Sequence, residues 1–121
     1  MKGKANKALG AWGEEVACTF FKERGYDILH RNYRVPVGEV DLICQKGDVI
    51  VFVEVKVRRS SNFGGPEEAI TPFKMERMIK AAKWYIMEHS VDDEELRFDC
   101  ICISGTRDGY SLEHIESAFE T

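Results

Sequence analysis

Gly38-Glu39-Val40-Asp41-Leu42-Ile43-Cys44-Gln45-Lys46-Gly47-Asp48-Val49-Ile50-Val51-Phe52-Val53-Glu54-Val55-Lys56-Val57 reads as two strands and a tight turn. Valine at every odd position from 49 to 57 gives the second run a period of two, the mark of a strand with distinct faces. Gly47 supplies the positive φ of a short hairpin turn. With Gly47-Asp48 as the loop, Phe52 lies opposite Ile43, Glu54 opposite Asp41, and Lys56 opposite Glu39. Strict alternation puts these six side chains on one face, apolar near the turn and ionisable at the far end. Val40, Leu42, Cys44, Val49, Val51, Val53 and Val55 form the other face.

A solvated hairpin is the simpler reading of such charges. Against it, Ile43, Ile50 and Phe52 imply that the charged face is covered too. Facing carboxylates repel. At ~5 Å the repulsion is about 3 kcal/mol at an effective dielectric of 20, and under ~1 kcal/mol in water. Lys56 offers one positive charge against three carboxylates, so a divalent cation with a preference for oxygen ligands is expected, Mg²⁺ or Mn²⁺.

Asp41 followed by Glu54-Val55-Lys56 resembles the D…ExK core of the PD-(D/E)xK nucleases. A longer set of motifs resembles the YraN-like family of bacterial proteins: Ala11-Trp12-Gly13-Glu14-Glu15-Val16-Ala17, Asn32-Tyr33-Arg34, Gly38 to Ile43, Phe52 to Arg58, Phe63-Gly64 and Glu68-Ala69-Ile70. That family is similar to archaeal Holliday-junction resolvases. The resemblance implies a restriction-endonuclease-like fold and a metal-dependent endonuclease acting on DNA, with branched or repair and recombination intermediates as substrates. It implies catalytic roles for Asp41, Glu54 and Lys56, metal ligation by Asp41 and Glu54 with Glu14 and Glu39, and a homodimer. ExK alone is a weak signal; the ordered set is specific for the family.

The remaining sequence fits one domain over residues 1–121, with 1–6 and 116–121 expected to be flexible. At 121 residues and 44% hydrophobic it can bury a core. No apolar run approaches a membrane span, and the basic start has no apolar stretch after it, so a cytoplasmic protein without membrane contact is expected. Cys18, Cys44, Cys100 and Cys102 lack zinc-type spacing and read as buried thiols. The three histidines suggest no catalytic constellation.

The net charge is −4, but residues 1–91 hold 15 Lys and Arg against 12 Asp and Glu, while residues 92–121 hold 2 against 9. The acidity is C-terminal, with Asp92 to Glu95 read as a solvated run. The rest is basic enough for phosphate contact.

Asn6 to Arg24 reads as a first helix stopped by Gly25, with Leu9, Trp12, Val16 and Phe20 as its buried stripe. Glu14 lies at the stripe's edge, either an ordinary boundary residue or a side chain reaching into a site. Tyr26 to Arg34 reads as a strand in which Arg34 touches phosphate or pairs with surface acids. Arg58 to Pro66 is a polar loop beside Lys56. Arg58 and Arg59 suit phosphate contact, and Phe63 suits either base stacking or the core. Pro66 to Ile70 reads as a short helical turn. Thr71-Pro72 caps a second helix reaching Glu88, with Met78, Ala82, Tyr85 and Ile86 buried and Lys74 in the first turn as a nucleic-acid contact. Leu96 to Ser104 reads as a central strand and Tyr110 to Ile115 as an edge strand. The resulting order, α-β-β-β-α-β-β, is an α/β fold with a mixed sheet flanked by helices. Two other readings use the same residues: a nucleic-acid-binding module that retains a nuclease fold without cleavage, and a protein-interaction adaptor using the acidic segment.

Overall fold

The computed structural model describes residues 2–59 and 70–120, with only the backbone of 2–7. Phe63 and, except for Ile70, the short turn expected at 66–70 lie outside the described residues. The elements run α1 (Lys2–Glu23), β1 (Asp27–Val35), β2 (Gly38–Lys46), β3 (Val49–Arg58), α2 (Pro72–His89), β4 (Glu95–Thr106) and β5 (Gly109–Phe119). The strands form one sheet in chain order, β1-β2-β3-β4-β5. Only β3 and β4 are parallel; the other neighbours are antiparallel. The expected order and mixed sheet are therefore present. No described helix is long and apolar enough to cross a membrane.

Each face of the sheet carries one helix because the strands alternate two apolar sets. Trp12, Ala17 and Phe21 of α1 pack on Leu42, Val51, Val53, Ile101 and Ile103. Met78, Ala81, Ala82 and Tyr85 of α2 pack on Ile43, Ile50, Phe52 and Phe98. Thr71 Oγ1 accepts the Lys74 N–H at 3.2 Å, and Pro72 follows it at the helix start. Ile86 is only half-buried, so Ala81 takes the place expected for it. Helix α1 begins four residues earlier than its stripe suggests, at Lys2 rather than Asn6.

The central hairpin has the expected register from Lys46↔Val49 to Leu42↔Val53, with Gly47 at φ 58°. Beyond Leu42 the strict alternation fails. Val40 lies in the α2-side core with Ile43, whereas Leu42 lies in the α1-side core. The neighbouring strand changes faces at the same rung: Arg31 bonds to Glu15 of α1, and Tyr33 joins the α2-side core. Pairing continues in one register across the change, Arg31↔Leu42 and then Tyr33↔Val40. Asn32, opposite Asp41, has φ 52°, a conformation asparagine tolerates better than most residues. The two irregularities cancel in register and together reset both strands.

β5 reaches Phe119, four residues past its expected end at Ile115, and the cause is a buried charge. Asp99 is fully buried and accepts both Arg97 Nε and Nη2 at 2.8 Å, with His114 Nε2 at 2.7 Å. It also accepts the Ser117 N–H at 3.1 Å, holding a bulge at which Ser117 has φ 49°. Burial would raise the Asp99 carboxyl, but the hydrogen bonds from His114, Arg97 and Ser117 outweigh it and hold it below the usual range.

Two glycines bring the helices down at one end of the sheet. A Cβ on Gly13 would overlap the Val57 side chain, and a Cβ on Gly38 would overlap the Arg77 carbonyl. The obstacle at Gly38 is backbone and cannot rotate away. Gly38→Ala should therefore lower stability by about 1–3 kcal/mol in urea denaturation; a change under ~0.5 kcal/mol would show that the contact relaxes freely. Asp99→Ala should cost more, about 3–5 kcal/mol, because Arg97 loses the partner of a largely buried charge.

Candidate functional site

The sheet opens where β2 changes faces. Paired backbone ends at Leu42↔Val53, and the Asp41 carboxylate takes over: its Oδ2 accepts the Val55 N–H at 2.8 Å. A side chain thus fills the role of a main-chain acceptor and is fixed between the strands. Glu54, the residue before Val55, is 6% exposed and hydrogen-bonded to Asp41. Burial first, then that hydrogen bond and the Asp41 charge, push the Glu54 carboxyl from 4.5 up to about 8. Glu54 therefore keeps its proton beside Asp41, with one positive charge nearby. Lys74 Nζ supplies that charge, 3.4 Å from Glu54 Oε2.

Glu14 enters from α1. Its Oε1 accepts Asn32 Nδ2 at 2.7 Å, so the residue that resets β1 also orients this acid. Burial and then the Asp41 charge raise Glu14, while the Asn32 hydrogen bond, Arg31 and Arg34 oppose the rise. Glu39 instead reaches toward Lys74 Nζ at 3.9 Å and Arg77 Nε at 3.8 Å. The four acids named from the sequence therefore divide. Asp41 and Glu54 touch, Glu14 feels the Asp41 charge, and Glu39 is tied to basic residues of α2. Among the described residues, no three His, Cys, Asp or Glu side chains converge as a ready-made ion site. The donor chemistry nevertheless fits a hard cation: carboxylate oxygens alone, at a buried position where a proton already does a cation's work.

Lys56 is exposed two residues beyond Glu54 and makes no ion pair or hydrogen bond among the described residues. Arg34 lines a cleft of about 320 Å³ with Gly10, Ala11, Glu14 and Asn32. Arg59 lines a second of about 320 Å³ with Trp12 and Arg107. Arg58 is half-buried at the end of β3. A groove of about 470 Å³ between α1 and β5 is lined by Glu15, Phe20 and Tyr110 and contains none of these acids.

A family model described as "Uncharacterised protein family UPF0102" matches residues 13–103. The chain belongs to the UPF0102 family. The UPF0102 protein of Syntrophomonas wolfei is 48% identical over 115 residues, covering 94% of this chain and 99% of that one. That of Dictyoglomus thermophilum is 43% identical over 116 residues, covering 94% and 98%. The relative from Syntrophotalea carbinolica is 39% identical over 113 residues, covering 93% and 92%. The YraN-like resemblance is thereby supported over nearly the whole chain.

In this UPF0102 protein the topology gathers the acids with six basic residues. β1 and the parallel pair β3 and β4 end where β2 and α2 begin, and α1 descends from the same end. Arg34, Lys56, Arg58, Arg59, Lys74 and Arg77 lie there. Asp27, Asp48, Glu88 and Asp92 to Glu95 lie at the opposite end. Both helix N-termini also face the site end, where their dipoles favour anions. Lys74, expected to touch nucleic acid, lies between Glu54 and Glu39. Asn32 entered the sequence reading only within the Asn32-Tyr33-Arg34 motif, and neither it nor Arg77 was named as a site residue. Asn32 carried one legible signal, an asparagine within an otherwise extended run.

The raised Glu54 carboxyl has a measurable consequence. The folded chain keeps this proton to about pH 8, whereas the unfolded chain releases it near 4.5. Stability of the metal-free protein should therefore fall as pH rises through that window, by up to about 1.4 kcal/mol per unit. Urea denaturation in a chelator at about pH 5 and about pH 8 measures this. Glu54→Gln should flatten the slope; an unchanged slope would assign the proton elsewhere.

Proposed function

We propose that this protein is a metal-dependent nuclease that hydrolyses phosphodiester bonds of DNA, with Mg²⁺ or Mn²⁺ as its ion. The observation that carries this reading is the buried Asp41–Glu54 carboxyl pair, held open between two strands, with Lys56 exposed beside it at the basic end. Asp41 and Glu54 would hold the ion, with Glu14, which feels the Asp41 charge from α1, as a further ligand. A bound divalent ion supplies charge for the scissile phosphate and makes water a better nucleophile.

The chain's own residues do the rest. The Val55 N–H fixes Asp41, so its oxygens need no reorganisation when substrate arrives. Glu54, its carboxyl raised by burial, would release its proton in holding a cation. Lys56, free of a carboxylate partner among the described residues, is available to orient the attacking water or offset charge developing on phosphate. Lys74 keeps Glu54 from being a wholly uncompensated charge. Arg34, Arg58 and Arg59 flank the pair and suit the phosphate backbone, contacts that position a substrate without reading its sequence.

A second reading has its own support. No three ligating side chains converge among the described residues, and Lys74 already partly neutralises Glu54. Those features favour a nucleic-acid-binding module that has kept the fold and lost cleavage.

Labelled linear, flap and four-way-junction DNAs and an RNA, incubated with Mn²⁺ or Mg²⁺, separate the two. Asp41→Asn, Glu54→Gln and Lys56→Ala should each reduce cleavage by at least about 10²-fold, with circular dichroism unchanged. Cleavage that survives all three substitutions would remove the site assignment. Metal-independent binding without product would favour the binding module.

A further inference from the structure

The cleft of about 320 Å³ beside Arg59 holds none of the site acids and has a chemistry of its own. Its described lining joins Trp12 of α1, Arg59 just after β3, and Thr106, Arg107 and Asp108 of the β4–β5 turn. Arg58 pairs with Ser104 in the parallel ladder, so this turn stands at the same end of the sheet as Arg59. Thr106↔Gly109 closes the last rung, which leaves Arg107-Asp108 as a two-residue hairpin loop. A Cβ on Gly105 would overlap the Gly109 carbonyl, so the turn is tightly closed and fixes where the Arg107 backbone stands. From Cys100, the partner of Glu54, to Thr106 the strand advances about 20 Å at ~3.3 Å per residue. The cleft is therefore remote from the acid pair.

Arg59 and Arg107 are exposed and make no ion pair or hydrogen bond among the described residues. Asp108 is the only acid in the described lining, so positive charge is in excess there. Two guanidiniums on one cleft suit a phosphate group, whose oxygens accept paired N–H donors. Trp12 forms one wall of this cleft and also a wall of the groove between α1 and β5. Against it stands Tyr110, 49% exposed, with the two rings edge-on and their centroids 5.3 Å apart. An exposed ring held by a buried one is a rigid stacking surface. Farther along the groove Glu15 and Glu23 repel phosphate, and Arg24 is folded over the Phe20 ring. The ground that suits a polyanion therefore stops at Tyr110.

We propose that Arg59, Arg107 and Tyr110 form a subsite for a single-stranded nucleic-acid arm. The two arginines take a backbone phosphate, and Tyr110 stacks on the adjoining base. Stacking on a side chain needs a free base face, which a single strand offers and the interior of a duplex does not. A role in choosing substrates with an unpaired arm rests on the proposed nuclease reading; the binding itself does not.

The test is fluorescence anisotropy of a labelled oligothymidylate at low salt, in a chelator so that no cleavage step enters. A strand of abasic sites of the same length serves as comparison. Arg107→Ala should weaken binding to both strands and lower the slope of log K against log salt by about 0.7, the value for one phosphate of a single strand. Arg107→Lys should keep the parent slope. Tyr110→Leu, which retains an apolar contact for Trp12, should weaken oligothymidylate binding roughly fivefold or more with the slope unchanged. Tyr110→Phe should bind as the parent does, and the abasic strand should not respond to Tyr110→Leu. Parent affinity and slope in both Arg107→Ala and Tyr110→Leu would overturn the proposal. So would an equal loss from Tyr110→Leu on the abasic strand, or a parent that does not bind oligothymidylate. With no metal present, a failure to find cleavage would count against the nuclease reading and leave these results standing.

Discussion

One hydrogen bond, from the Val55 N–H to the Asp41 carboxylate, governs the architecture of the site end. It lets β2 and β3 separate without leaving that amide unsatisfied, which would be costly in a covered sheet. It also spends one oxygen of Asp41 on the backbone and leaves the rest of the group facing Glu54. Two acids that would otherwise repel are thus brought together, and burial raises the Glu54 carboxyl. Lys74, Glu14 and Asn32 are all arranged around that imbalance.

Much of this was legible because strand alternation is a strong signal. The hairpin register, the turn at Gly47, the parallel partner of β3 and the two helices follow from periodicity and caps. What alternation could not show was its own interruption. The face change at Asn32 and Asp41 leaves the register intact, so nothing in the spacing marks it. Glu39, placed beside Asp41 by strict alternation, reaches Arg77 and Lys74 instead. Asp99 was missed for a different reason. Its partners Arg97, His114 and Ser117 come from two strands whose pairing carries a bulge, and a lone aspartate in an apolar run announces no partner. The approach of the Cys100 and Cys102 sulfurs to 3.6 Å was half visible, since i and i+2 share a face, but the lean of the side chains belongs to packing alone.

The close helix contacts at Gly13 and Gly38 gain a reason from the same geometry. A sheet that opens at one end loses cross-strand hydrogen bonds there. Val57 and the Arg77 backbone press against the two glycines at that end, so packing replaces what pairing no longer supplies. Both positions lie in the motifs that carry the family likeness. Their requirement is steric, and it maintains the opening from either side of the sheet.

The separation of charge along the sheet has a consequence for motion before contact. Arg34, Lys56, Arg58 and Arg59 stand at one end of the sheet and the acidic run from Asp92 to Glu95 at the other, so charge is unevenly spread although the net charge is −4. Near a polyanion the field pulls on one end and pushes on the other, producing a torque rather than a simple attraction. For any such uneven distribution the torque acts over roughly a Debye length, about 8 Å at physiological salt. Negative charge at the C-terminal side thus acts as a vane, and added salt would weaken the alignment together with the pull.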